Sequence, residues 1–208
     1  MSLLRLVPVM GICISCTPPA LDMGRTPEGI TPHDYPDRFQ QWSREIHVLP
    51  LDGLENILTA RATYLGYRFR EAYVERFSYD LNSTPTEKQA LFASEMDALD
   101  KGHEFFVTAM SAVKNCDNLD PKTGPWTIRL KNDQGLEAAP VLIEKIEKPK
   151  PDSIKYFFFN PSYRKAYRIV FSLNAKDGAP LISTNTRSFE LSFATAYGKS
   201  SARWEIQK

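Results

Sequence analysis

Two groups of residues in this chain have types and spacings that could do chemistry. Cys13-Ile14-Ser15-Cys16 sets two thiols three residues apart, the separation a dithiol redox centre needs. Asp100-x-x-His103 would set a carboxylate beside an imidazole on one helix face, as metal or proton-transfer sites do. Glu71 and Glu75 are expected on the neighbouring helix and could approach His103. Helical metal sites, however, normally carry such a pair twice, and here there is one copy. The leading expectation is a histidine hydrogen-bonded between helices; a metal-dependent or hydrolytic enzyme using His103 and Asp100 is the alternative. Other catalytic motifs fail. Gly198-Lys199-Ser200 lacks the first glycine of a phosphate loop, because Phe193 stands where it belongs. There is no Gly-x-Ser-x-Gly elbow, no His-Glu-x-x-His and no glycine-rich dinucleotide turn. With three histidines in all, acid–base chemistry has few candidates. The chain is read as non-enzymatic, without a cofactor or a metal.

The cysteine pair has a different reading. A redox centre would need a helix opening after Cys16, and Thr17-Pro18-Pro19 prevents one. Ahead of the pair stand one positive charge, Arg5, and a short apolar run from Leu6 to Ile14. That layout is an export signal, too short to cross a bilayer as a helix. Ser15-Cys16 then resembles the end of a bacterial lipoprotein signal, where a small residue precedes the cysteine that receives the lipid. Cys13, where such signals usually carry Leu, and Pro8 depart from the pattern. The resemblance covers only this segment. It implies cleavage before Cys16, lipid attachment at Cys16, and a cell-envelope location. Since Thr17 is not the Asp of inner-membrane retention, the implied location is the outer membrane, facing the periplasm. Cys116 would then be the remaining thiol, unable to form an internal disulfide and read as a small core filler.

A third candidate is the run from Lys155 to Arg168, which mixes aromatic and basic residues. Lys155, Tyr163, Arg164, Lys165 and Arg168 form a candidate contact patch. Rings and cations together suit single-stranded nucleic acid, but export argues against that partner. The expected partner is a protein or an anionic envelope component. Charge distribution agrees: residues 117–208 carry fifteen Lys and Arg against ten Asp and Glu, while residues 50–116 carry seven against ten.

The elements that must position these residues read as α+β. The 42% hydrophobic content supports a real core and excludes overall disorder. Residues 1–15 form the expected signal. Residues 16–50, with six prolines, form a semi-rigid tether whose end docks through Phe39, Trp42, Ile46 and Val48. Residues 51–118 are expected as a long antiparallel helical hairpin. Asp52-Gly53-Leu54-Glu55 would cap the first helix, with Leu58, Ala62, Leu65, Phe69, Tyr73 and Phe77 on one face. Within it, Leu65 to Phe69 alternate well enough to make a short strand the competing reading. Thr84-Pro85-Thr86-Glu87 opens the second helix, carrying Phe92, Met96, Leu99, His103, Phe106, Met110 and Val113 as a narrow stripe. Each helix would have about thirty residues and a length of roughly 45 Å. If another chain completed that stripe, the protein would be a structural subunit of a secretion or surface assembly. Residues 119–208 are expected as an antiparallel β-sandwich of about six strands, at 126–131, 141–147, 154–159, 167–173, 189–195 and 202–206.

Overall fold

The computed structural model describes residues 18–50 and 56–207. The signal segment, Cys16 and the Asp52-to-Glu55 cap lie outside them. Within the described residues nine strands form two antiparallel sheets, and four short helices accompany them. After a 3₁₀ turn at Pro32–Asp34, α1 (Tyr35–Trp42) runs directly into β1 (Ser43–Val48). β2 (Leu58–Tyr64), α2 (Tyr67–Asp80), α3 (Pro85–Leu99) and β3 (His103–Met110) follow. The remaining elements are β4 (Thr127–Asn132), β5 (Glu137–Ala138), β6 (Pro140–Ile146), α4 (Pro151–Tyr156), β7 (Lys165–Phe171), β8 (Ser188–Thr195) and β9 (Gly198–Glu205). One sheet has the order β1-β2-β3-β7-β6 and the other β5-β4-β8-β9.

The long helical hairpin is therefore not present. Its first half contains a strand: Leu58, Ala60, Ala62 and Tyr64 share one buried face on a period of two, with Thr59 and Arg61 between them partly exposed and Thr63 buried on the other face. The competing strand at Leu65 to Phe69 is not present either, since α2 begins at Tyr67. Gly66 separates strand from helix. A Cβ there would lie 2.3 Å from the Trp42 ring, so only glycine lets α2 start against α1. The second helix begins as expected: Thr84 Oγ1 accepts from Glu87 N at 3.3 Å, and Thr84 N donates to the Glu87 carboxylate at 2.7 Å. It ends at Leu99, however, and His103 starts a strand. At Gly102 a Cβ would meet the Phe171 carbonyl at 2.5 Å, so the chain crosses close against β7 there. The stripe expected to continue through Phe106 and Met110 thus breaks at that glycine. Two helices of 14 and 15 residues remain, joined by a turn with Asn82 in the left-handed region.

The boundary expected at 118/119 also disappears. β6 and β7 add to β3 and complete the sheet that β1 and β2 begin, with Phe106 opposite Arg168 and Tyr167 opposite Lys145. The strand expected at 154–159 is instead α4, opened by Pro151 at its first position. The other five expected strands are present within a few residues of their expected limits. Nor is 18–50 a free tether. Phe39, Trp42, Ile46 and Val48 do dock, but Leu21 and Tyr35 are buried as well. Leu21 N donates to the Glu205 carbonyl at 2.7 Å and the Leu21 carbonyl accepts from Gln207 N at 2.8 Å, stitching this segment to the end of β9.

Aromatic rings fill the space between the sheets. Tyr64 lies 5.1 Å from Phe105 and 4.9 Å from Phe189, and Phe189 stacks on Trp204 at 5.3 Å. Trp204 Nε1 donates to the Trp42 carbonyl at 3.0 Å, which ties α1 to the second sheet. A second aromatic cluster covers the outer face of the five-stranded sheet. Phe106 stacks on Phe157 at 3.8 Å, and the Tyr35 hydroxyl donates to the Tyr156 carbonyl at 2.7 Å. Burial of this much aromatic surface is the main driving force for joining the two halves.

Candidate functional site

His103 is the first residue of β3 and, by strand alternation, shares the inter-sheet side with Phe105. Its Nδ1 lies 3.0 Å from the hydroxyl of Tyr64 on the adjacent strand. Both side chains are buried. Burial holds the imidazole pKa down at about 4; the Leu173 backbone opposes this only in part. The same burial raises Tyr64. At neutral pH the pair is therefore an uncharged phenol and an uncharged imidazole. Nε2 of His103 is closed off from solvent and has no partner in hydrogen-bond geometry among the described residues. The pair lines a cleft of about 490 Å³, bounded also by residues 22–25, Tyr67, Leu99, Leu173, residues 182–184, Ile206 and Gln207.

Asp100, the expected partner of His103, is elsewhere. It caps the C-terminal end of α3 in the solvent and pairs with Arg25 at 2.8 Å. Glu71 and Glu75 do not approach the imidazole by any hydrogen bond: Glu71 accepts from Glu28 N at 3.2 Å, and Glu75 pairs with Lys88 at 2.7 Å. Among the described residues no group of three or more His, Cys, Asp or Glu side chains is placed to hold a metal ion. Tyr64 escaped notice in the sequence because strand pairing, not local spacing, brings it to His103. The alternation from Leu58 to Tyr64 was the signal that could have found it.

The basic–aromatic run is spread over several surfaces. Lys155 lies on α4, with Nζ 2.8 Å from Asp80, and Lys165 pairs with Asp117 at 2.8 Å. Arg164 donates to Thr108 Oγ1 at 3.3 Å, while Tyr163 is 76% exposed. Alternation along β7 sends Lys165 and Arg168 to opposite faces. Arg168 reaches Glu104, which also receives Arg70 at 2.8 Å, and Arg70 in turn holds Glu95. Burial raises the Glu104 carboxyl, but hydrogen bonds and charge from Arg168 and Arg70 outweigh it and leave the pKa lowered. Three of the four expected cations thus already hold carboxylates, and no single continuous patch results. Cys116 is buried, which raises its thiol, and its carbonyl accepts from Trp126 Nε1 at 2.8 Å. Its surroundings are those of packing, not of a nucleophile.

The sequence matches no protein-family model and no curated protein. Among solved structures it is similar to a protein of unknown function from Burkholderia pseudomallei K96243, with 11% identity and a TM-score of 0.39 over 88% of this chain and 94% of that chain. No described helix is long and apolar enough to cross a membrane.

Proposed function

We propose that the chain is a non-enzymatic, lipid-anchored binding module of a bacterial cell envelope, held close against the membrane. The lipid would be on Cys16, as the resemblance of the Leu6-to-Cys16 segment to a lipoprotein signal implies, and Thr17 favours the outer membrane. The structural observation that carries the arrangement is the stitching of Leu21 to Glu205 and Gln207. Four residues lie between Cys16 and Leu21, five chain steps that reach at most about 18 Å. A lipid at Cys16 would therefore hold the Leu21 end of the folded body within that distance of the bilayer surface. The pairing of Lys155, Lys165 and Arg168 with carboxylates favours a neutral or protein partner over a polyanion, since an anion would have to displace those contacts.

Mass spectrometry of the mature amino terminus, with fractionation of cells producing wild type or Cys16→Ser, tests this reading. The expected result is an acylated Cys16 in the membrane fraction and a loss of membrane association in the variant. An intact Met1 in the soluble cell interior would overturn it.

A further inference from the structure

We propose that the groove beside Phe158 captures a ring-bearing side chain of a partner protein's peptide segment, together with the backbone amide next to it. The groove has a volume of about 380 Å³, at the small end for a ligand site, enough for one ring and its backbone. Pro36 and Phe39 of α1, Glu45 of β1, Arg61 of β2 and Phe158 line it, and it shares no residue with the Tyr64–His103 cleft. Phe158 is the first residue past the C-cap of α4, and its φ of 46° lies in the left-handed region. Glycine or asparagine usually stands at that position, because a Cβ crowds the backbone there. Burial does not account for a phenylalanine, since 49% of its surface is exposed. Its ring meets Phe39 edge to face at 4.8 Å and walls the groove. A bulky residue held in strained backbone with half its surface in solvent is a feature of ligand-clamping positions.

Arg61 and Glu45 supply the polar part. The Arg61 guanidinium lies 5.9 Å from the Phe39 ring centroid, and its Nε donates to Glu45 Oε1 at 2.6 Å. Both side chains are partly open to solvent. Among the described residues this is the one hydrogen bond either side chain makes, so the Nη donors and the Glu45 Oε2 acceptor remain for a ligand. A donor and an acceptor side by side, whose charges already offset each other, match the C=O and N–H of a peptide amide. A lone anion or cation would have to break the pair to find a counter-charge. An inserted ring would add contacts with Phe158 and with the guanidinium. The inference rests on the reading of the chain as a module for a protein partner and does not depend on acylation of Cys16, which is read separately by the mass of the amino terminus.

The test is a titration of the full chain, followed by NMR amide shifts, with the uncharged blocked peptide acetyl-Gly-Trp-Gly-amide. Acetyl-Gly-Ala-Gly-amide and 3-methylindole, the ring without its amides, are the comparisons. Saturable shifts confined to Phe39, Ser43, Glu45, Arg61, Phe158 and their neighbours are expected, with the tryptophan peptide at least tenfold tighter than the alanine peptide. Phe158→Gly should weaken it at least tenfold with little change in the unfolding midpoint, because relief of the left-handed backbone offsets the lost ring contacts. Glu45→Ala, an exposed position, should weaken the tryptophan peptide several-fold and leave 3-methylindole unchanged. Absence of saturable shifts, shifts centred elsewhere, equal affinity for the alanine peptide, or full affinity in folded Phe158→Gly would overturn the proposal. Binding of 3-methylindole as tight as that of the peptide would overturn the assignment of a peptide as the occupant.

Discussion

The hydroxyl of Tyr64 and Nδ1 of His103 stand 3.0 Å apart between two sheets, and burial keeps the imidazole neutral there with a pKa of about 4. An unfolded chain protonates the same ring near 6.5. The unfolded state therefore takes up the proton first as pH falls. Stability from this residue is complete above about pH 6.5 and declines toward pH 4, by roughly 3 kcal/mol in all. Urea unfolding at pH 7, 5.5 and 4.5 should show this decline, and His103→Gln should flatten it. Asp80, held at about 2, loses its contribution only at lower pH, so it does not mimic the effect.

Much of the secondary structure was legible, and the misreadings have specific physical causes. Thr84-Pro85 and Glu87 named a helix start through local hydrogen bonds alone, and those bonds form. Leu58, Ala62, Leu65 and Phe69 fit helical steps of three and four, yet Leu58, Ala60, Ala62 and Tyr64 fit a period of two equally well. Pairing with β1 on one side and β3 on the other decides between them, and that is tertiary. β3 is buried on both faces, from His103 to Ala109, so its sequence shows no alternation. His103 was visible by residue type. Tyr64 was not visible as its partner, nor were Asp80, Asp117 and Glu104 as the counter-ions of the basic run, because each comes from a distant part of the chain.

Gly66 supplies the second prediction. A methyl group there would overlap the Trp42 ring at 2.3 Å, and Trp42 is itself fully buried and tied to the second sheet through its carbonyl. Gly66→Ala should cost on the order of 1–3 kcal/mol by overpacking. Gly135→Asn, at a positive-φ turn glycine with open space around its Cβ position, should cost less. Thermal unfolding of the two variants makes the comparison. Equal losses would show that the Trp42 contact is not what demands glycine.

Glu104 lies between Arg70 and Arg168, and it is the carboxylate that both guanidinium groups share. Removing its charge leaves the buried Arg70 with Glu95 alone. Glu104→Gln should therefore destabilise the protein by roughly 3 kcal/mol, the lower end for an opened buried ion pair. Arg168 is 40% exposed at its side chain, so Arg168→Ala should cost about 1 kcal/mol or less. Chemical denaturation of both variants and their double mutant reads the coupling. If Arg168→Ala cost as much as Glu104→Gln, the argument that burial makes the loss of the Arg70 pairing the larger cost would be wrong.

The segment before α1 gives the last prediction, because it separates a free tether from a stitched one. Arg25, Arg38 and Arg44 would be rapid trypsin sites in an extended proline-rich arm. Here Arg44 lies in β1, Arg38 lies in α1 and pairs with Glu28, and Arg25 follows the Leu21 stitch and pairs with Asp100. Native protein should therefore resist cleavage at Arg38 and Arg44 and be cut at Arg25 slowly. Leu21 is fully buried, and Leu21→Ala should cost roughly 2–5 kcal/mol globally if its packing is integral to the core. If the stitch instead opens as a local unit, the variant should lose protection at Arg25 with a nearly unchanged unfolding midpoint. Timed trypsin digestion with mass readout, run beside thermal unfolding, separates these outcomes. Fast cleavage at all three arginines in the unmutated chain would restore the tether and remove the argument for a body held close to the membrane.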